Sequence, residues 1–341
     1  MKSGQVTIKD IARELNISVS TVSRALANNP LVKPATKKAV TELAEKLNYQ
    51  PNFTALSLRN NTTKTLGVIL PQVVHEFFAN VLRGIEDVAY SKGYSVIICN
   101  THESFEREVI DAKTLMNGRV DGVLACVSKE THEFKHFQEF KNRSIPLVFF
   151  DCVVDDIDTD KVIIDDYDAA FSAVDHLLKT GRKNIAYVGG PEGLLISKKR
   201  FEGYKDAIEA QGLKVNDLII THNNAGKFED GQHSIKDIMN RTQIFDGLFA
   251  ATDMLALGAI KELKASGFNV PQDISVCGFS NWKISEIYEP SLTTIDQPGY
   301  DMGEISAKML FSQIEHKNNE NYQPETRVLK TSLIIRESSN V

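Results

Sequence analysis

Cysteine is scarce in this chain: there are four among 341 residues, Cys99, Cys126, Cys152 and Cys277, and no two form a C-x-x-C unit. That spacing supplies neither a disulfide framework nor a zinc ribbon, so buried free thiols in a reducing compartment are expected. Long apolar runs are missing as well. No stretch approaches the roughly 20 residues of a membrane span, and the polar start MKSGQVTIKD does not read as a secretory leader. These absences predict a cytoplasmic protein with no membrane partner.

Three motif-like stretches fall short of the chemistry they imitate. His132-Glu133-Phe134-Lys135-His136 fits H-E-x-x-H, in which two histidines one helical turn apart bind zinc. Here Phe134, Phe137 and Phe140 form the sheet-facing stripe and no third ligand is evident, so the histidines are expected on the solvated side. Asp156, Asp158 and Asp160 resemble the start of a calcium loop, but Lys161 stands where glycine is needed and Tyr167 where the terminal glutamate belongs. An exposed acidic turn is the expectation. Gly189-Gly190-Pro191-Glu192-Gly193 lacks the G-x-G-x-x-G spacing of a pyrophosphate loop and reads as a turn lining a cleft. No catalytic residue, metal site or cofactor is assigned.

Net charge is −6, yet the charge is segregated. Residues 1–64 hold ten Lys/Arg against four Asp/Glu, while the remainder holds 29 against 41. A basic head on an acidic body directs the head toward phosphates and makes binding sensitive to salt.

Within the head, TIKDIARELNISVSTVSRALANN reads as two short helices joined by a tight turn. Thr7 can cap the first, whose Ile8, Ile11, Ala12 and Leu15 recur at helical spacing, and Asn16 sits where a left-handed residue is needed. Ser18 can cap the second, with Val22, Ala25 and Leu26 on its buried side and Val19, Ser20, Ser23 and Arg24 outward. Such a helix-turn-helix places the start of its second helix in the major groove, where Arg24 can address a guanine edge or a phosphate. An ordinary helical hairpin gives the same pattern. A third helix, from Pro34 to Asn48 with Val40, Leu43, Ala44 and Leu47, closes a three-helix core.

The segment from Tyr49 through Pro51, Asn52, Ala55 and Leu58 to Arg59 completes the runs TIKDVA, VSxxTVSRxLN and YxPNxxAxxL of the LacI/GalR (lactose-repressor) family, which this chain closely resembles. GVILP, LRGIED, VDGVL, IAYVGGP, RFEGY, ATDMLALGAI, DISVCGF and LTTIDQP continue the resemblance over nearly the whole chain. It implies operator contacts from Thr7, Ser18, Val19, Ser20, Thr21, Ser23, Arg24 and Asn28. It also implies a hinge helix at 51–63 in which Asn52 starts the motif, Ala55 permits close pairing and Leu58 wedges into the minor groove.

Beyond Lys64, short β-branched runs alternate with amphipathic helices, and the pattern restarts after VIIDD. This is an α/β class with parallel sheets flanked by helices. The resemblance implies a two-lobe, periplasmic-binding-protein-like body, with lobes at 64–165 plus 295–325 and at 166–294 plus 326–341, behind a head at 1–50. Ligands bind beyond the carboxyl ends of strands in such lobes. The nominated effector residues are Phe77 and Phe78 after the first strand, Asp151 ending VFFD, Arg200 of RFEGY, Thr252 in ATD, and Ser280 where relatives carry aspartate. Asn281 takes the second of those aspartate positions.

The function expected is that of a homodimeric repressor whose hold on a pseudopalindromic operator is set by a small, sugar-like effector. The alternatives are a solute-binding or enzymatic α/β protein with a dimerising hairpin, and a regulator governed by a partner protein.

Overall fold

The computed structural model describes residues 6–49, 62–224, 226–242, 244–316 and 322–340. The chain divides into two compact units, Met1–Thr63 and Lys64–Val341. The hinge positions Asn52, Ala55 and Leu58 lie outside the described residues.

The small unit contains α1 (Ile8–Glu14), α2 (Val19–Leu26) and α3 (Pro34–Lys46). Ile11, Val22 and Val40 contribute one fully buried side chain from each helix, and Ile8, Leu15, Leu26, Leu43 and Leu47 close around them. Asn16 takes the left-handed φ of 51° between α1 and α2, a conformation asparagine tolerates better than bulky residues. Pro34 occupies the first turn of α3, where its missing N–H costs nothing.

Among the described residues the large unit has two six-stranded sheets. The first lobe runs β1 (Thr65–Leu70), α4 (Glu76–Ser91), β2 (Ser95–Asn100), α5 (Phe105–Asn117), β3 (Gly122–Ala125), α6 (Lys135–Asn142), β4 (Leu147–Phe150) and β5 (Asp160–Ile164). The second continues with α7 (Asp166–Lys179), β6 (Ile185–Gly189), α8 (Leu195–Ala210), β7 (Ile220–His222), α9 (Phe228–Arg241), β8 (Gly247–Ala250), α10 (Asp253–Ala265), β9 (Ser275–Ser280), α11 (Lys283–Ile287) and β10 (Thr293–Asp296). The chain then adds α12 (Gly299–Glu315) and β11 (Thr326–Leu329) to the first lobe and β12 (Ser332–Ile334) to the second.

Strand order is β11-β5-β4-β3-β1-β2 in the first sheet and β12-β10-β9-β8-β6-β7 in the second. Every pairing is parallel except β10 with β12. Helices cover both faces of such a sheet, which is why LVFF in β4 and GLFA in β8 are wholly buried rather than alternating.

The lobe boundaries differ from those expected. Thr326–Leu329 pairs in register with Lys161–Ile164 in the first sheet, so the last crossing follows Leu329 instead of preceding Thr326. Ile295 and Asp296 pair with Phe279 and Ser280, so they belong to the second sheet and the middle crossing falls after them. The last described residues pack into the second lobe. Ser338 and Ser339 are fully buried, with the Ser338 hydroxyl donating to the Val276 carbonyl at 2.6 Å and accepting from the Thr293 N–H at 2.8 Å.

Candidate functional site

In the head, capping arranges the face that α2 presents. The Thr7 N–H donates to the Asp10 carboxylate at 2.9 Å and its hydroxyl does so at 2.6 Å, fixing the entry to α1. The Ser18 hydroxyl accepts from the Thr21 N–H at 3.1 Å, leaving Ser18 at the start of α2. With Val22 and Ala25 buried, the opposite side carries exposed Val19, Ser20 and Arg24, with Thr21 and Ser23 half-buried at its margins. Val19 is 42% exposed and free to meet a partner. Asn28, with φ at 52°, receives the Lys37 ammonium on both its carbonyl (3.1 Å) and its side-chain oxygen (2.9 Å), so it shapes the turn after α2.

The second region is the cleft between the two lobes of the body. All six nominated residues, Phe77, Phe78, Asp151, Arg200, Thr252 and Ser280, line one cavity of about 120 Å³. They come together because each lies at or just beyond the carboxyl end of a strand, or in the first two turns of the helix beyond it. Phe77 and Phe78 sit in the first turn of α4, both 7% exposed, with ring centroids 5.2 Å apart. Thr252 caps α10 by accepting the Leu255 N–H at 3.3 Å. The Ser280 hydroxyl donates to Gln297 Oε1 at 2.8 Å.

Arg200, 6% exposed, already holds protein partners. Its Nε donates to Asp166 Oδ1 at 2.7 Å, its Nη1 donates to the Ala251 carbonyl at 2.8 Å, and its guanidinium lies 3.7 Å from the centroid of the Phe279 ring. Asn281 is likewise engaged, donating to Asp296 Oδ1 and accepting from Arg336, both at 2.7 Å.

Asp151 has φ at 59°, a left-handed conformation that a non-glycine residue adopts at some cost. Burial, reinforced by the nearby Asp166 charge and opposed by Arg200, pushes its carboxyl up to about 6. The Cys126 and Cys152 thiols both reach its Oδ2, at 3.7 and 3.8 Å. Asp151 and Cys152 also line a larger adjoining chamber of about 580 Å³, walled by Ile163, Ile164, Leu195 and Ile196 and edged by Asp165, Asp166 and Lys199. Gly193 of the glycine-rich turn lies on that chamber.

Sequence reasoning missed several groups in the smaller cavity. His75, beside Phe77-Phe78, meets Trp282 from the other lobe with centroids 4.8 Å apart. Trp282 Nε1 is buried without a hydrogen-bond partner among the described residues. Burial, aided by the Lys129 charge, holds the His75 imidazole below its usual range. Glu103 and Lys129 form an ion pair at 3.2 Å on the first-lobe side, and Gln297 completes the wall. The Lys283 N–H donates to Glu76 Oε2 at 2.5 Å, a direct hydrogen bond from α11 in one lobe to α4 in the other.

Two discounted motifs sit differently than expected. α6 begins at Lys135, so His132 and Glu133 precede the helix and the two histidines are not one turn apart on it. His136 is buried, not solvated, and its Nε2 lies 2.9 Å from Glu108 Oε1. Asp160 is fully buried, accepting from Gln313 Nε2 at 2.7 Å and the Glu325 N–H at 2.9 Å, so only Asp156 and Asp158 form an exposed turn.

Comparison with known proteins accounts for both regions. Residues 7–52 match the family of bacterial regulatory proteins of the lacI type, and residues 63–334 match that of periplasmic binding proteins and the sugar-binding domain of the LacI family. The chain is 36% identical to catabolite control protein A of Priestia megaterium, over 89% of this chain and 91% of that protein. It is 33% identical to the ribose operon repressor of Halalkalibacterium halodurans, over 98% and 97%. Among solved structures, a complex of the transcriptional regulator CelR with cellobiose superposes with a TM-score of 0.74 at 26% identity, over 98% of this chain and 99% of that one. The lac repressor dimer bound to operator and the anti-inducer ONPF shares the fold, with a TM-score of 0.86 at 23% identity over 99% and 100%.

Proposed function

This chain belongs to the LacI family of bacterial transcription regulators, and from that premise we propose that it acts as a homodimer on a pseudopalindromic operator, under control of a small polyhydroxylated effector held between the lobes. The observation that carries the DNA half is the exposed face of α2, where Val19, Ser20 and Arg24 surround a capped helix start. Each head would read one half-site, with Ser18, Ser20, Thr21 and Ser23 offering short donors and Arg24 a fork for guanine or phosphate. Thr7 serves the phosphate side and Asn28 positions the turn. Asn52, Ala55 and Leu58 are assigned by family resemblance to a hinge that pairs with its twin, Leu58 contacting the minor groove.

Support for the effector half comes from the lining of the smaller cavity. It combines Arg200, Thr252, Ser280 and Gln297 with the faces of Phe78 and Trp282, the mixture of polar groups and aromatic rings that suits a hydroxyl-rich ring. The unpartnered Trp282 Nε1 offers a donor to such a ligand. A ligand that prefers one spacing of the lobes shifts the population able to engage both half-sites. The homodimer is supported by exposed apolar side chains on the edge strand β2, Ile97 and Ile98, and on α11, Ile284 and Ile287.

The test is footprinting of the purified protein on its own fragmented genome at moderate salt, with and without sugars, sugar phosphates and nucleobases. A palindromic motif whose occupancy changes with one compound class supports the reading. Sequence-blind, salt-sensitive binding alone removes it.

A further inference from the structure

β3 and β4 are neighbours in the first sheet, with Ala125 opposite Phe149, so the residues that leave their carboxyl ends emerge side by side in the cleft. Cys126 leaves β3; Asp151 and Cys152 leave β4. In a regular strand, successive side chains point to opposite faces. The left-handed break at Asp151 interrupts that alternation and lets Asp151 and Cys152 converge on Cys126. The two sulfurs and the carboxylate oxygen lie within 4.8 Å of one another, with the sulfurs 3.7 and 3.8 Å from Asp151 Oδ2.

Those separations can be set against coordination geometry. With metal–sulfur bonds of ~2.3 Å and metal–oxygen bonds of ~2.0–2.2 Å, tetrahedral angles place such donors roughly 3.5–3.8 Å apart. Both sulfur–oxygen separations therefore match two edges of a tetrahedral site before any ion arrives, and the two sulfurs lie within 4.8 Å of each other. Two neighbouring carboxylates are already matched, Asp166 by Arg200 and Glu103 by Lys129. Among the described residues Asp151 makes no ion pair, and its carboxylate is hydrogen-bonded only by the two thiols, which are weak donors. A carboxylate in that position is under-compensated, and a cation would correct it.

We propose that Cys126, Asp151 and Cys152 form a site for a single thiophilic divalent cation of the zinc class, with the remaining coordination position open to the cleft chamber that Asp151 and Cys152 line. Binding displaces the two thiol protons to solvent and leaves two thiolates and one carboxylate on the ion. The site goes beyond operator and effector recognition, because it needs neither DNA nor a polyol. A water or a donor atom of a cleft ligand would complete the coordination.

The experiment is a titration of the reduced, full-length, untagged protein with cadmium ion alone, following the thiolate-to-cadmium charge-transfer absorbance, with zinc ion as competitor. A step saturating at one equivalent per chain and abolished by zinc is expected. Cys152→Ser, a half-buried position where the fold is readily checked by circular dichroism, should lose that step. Asp151→Asn should weaken it without removing the thiolate band, and a Cys99→Ala/Cys277→Ala variant should keep it. No step at one equivalent in the folded protein, or a step that survives Cys152→Ser, overturns the proposal. Operator footprinting without metal then stands or falls separately.

Discussion

Arg200 and Asp166 are joined across the packing of α8 on α7 by a buried ion pair, Nε to Oδ1 at 2.7 Å, with both side chains under a tenth exposed. The arginine that family resemblance singles out for an effector is thus first a structural partner. Its Nη2 makes no hydrogen bond among the described residues, so the pair can aim the guanidinium while leaving it able to meet a ligand.

Breaking that pair from one side strands the other charge. Arg200→Met should destabilise the body by about 3–5 kcal/mol, whereas Arg200→Met combined with Asp166→Leu should recover much of the loss. Urea unfolding of both single variants and the double variant measures this. Additive losses in the double variant would mean that the two residues do not stabilise the cleft as a pair.

Asp151 makes stability depend on pH in a direction opposite to most carboxylates. Its folded-state value of about 6 lies above the 3.8 of an unperturbed aspartate, so the folded protein holds the proton more tightly than the unfolded chain. The resulting stabilisation is full below pH 4 and is lost as pH rises through 6. Its upper bound is about 3 kcal/mol, reduced by water in the cleft. Asp151→Asn should lack that decline. The check is metal-free unfolding of both proteins from pH 4 to 7, taking the difference between them; a difference that stays flat across this window would contradict the assignment.

Much of this architecture could be read along the chain, for physical reasons. Strands covered on both faces must be apolar throughout, so TLGVIL, LVFF and GLFA announced themselves, and residues after their carboxyl ends were bound to meet in a cleft. What could not be read depends on register between distant segments. Cys126 and Cys152 carry no spacing signature and meet only because β3 lies beside β4. His136 is buried because Glu108, on α5, supplies its partner, and no periodicity in its own helix reports that. β11 has three exposed residues out of four, so it resembles a linker until it is paired with β5. Trp282 enters the cleft at the start of a short helix and meets His75 from the opposite lobe, a contact that no local pattern announces.

The packing of α12 on α4 depends on glycine. A methyl group on Gly303 would lie 1.9 Å from the Val81 carbonyl oxygen, and one on Gly84 would lie 2.2 Å from that of Tyr300. Both obstacles are backbone, so the helices must separate. Gly303→Ala should cost about 1–3 kcal/mol or more. Gly193→Ala, whose methyl meets nothing within 4 Å among the described residues and which has no positive φ, is the matched control and should be nearly neutral. Thermal unfolding of the two variants decides it, and equal midpoints would show that the helices accommodate the methyl.

Arg24 and Leu58 separate two ways of holding an operator. An exposed Arg24 on α2 that forks onto a base should, when replaced by alanine, lose about 1–3 kcal/mol on the specific site and much less on unrelated DNA. If it holds only a phosphate, both DNAs weaken together and the slope of affinity against salt falls by about one charge. Leu58→Ala removes no charge, so the salt slope should stay unchanged while specific binding falls far more than nonspecific binding, because only a correctly registered pair of hinges can exploit a kinked centre. Binding isotherms on both DNAs at several salt concentrations give slope and specificity ratio together. Equal losses of Leu58→Ala on both DNAs would leave recognition to the heads alone.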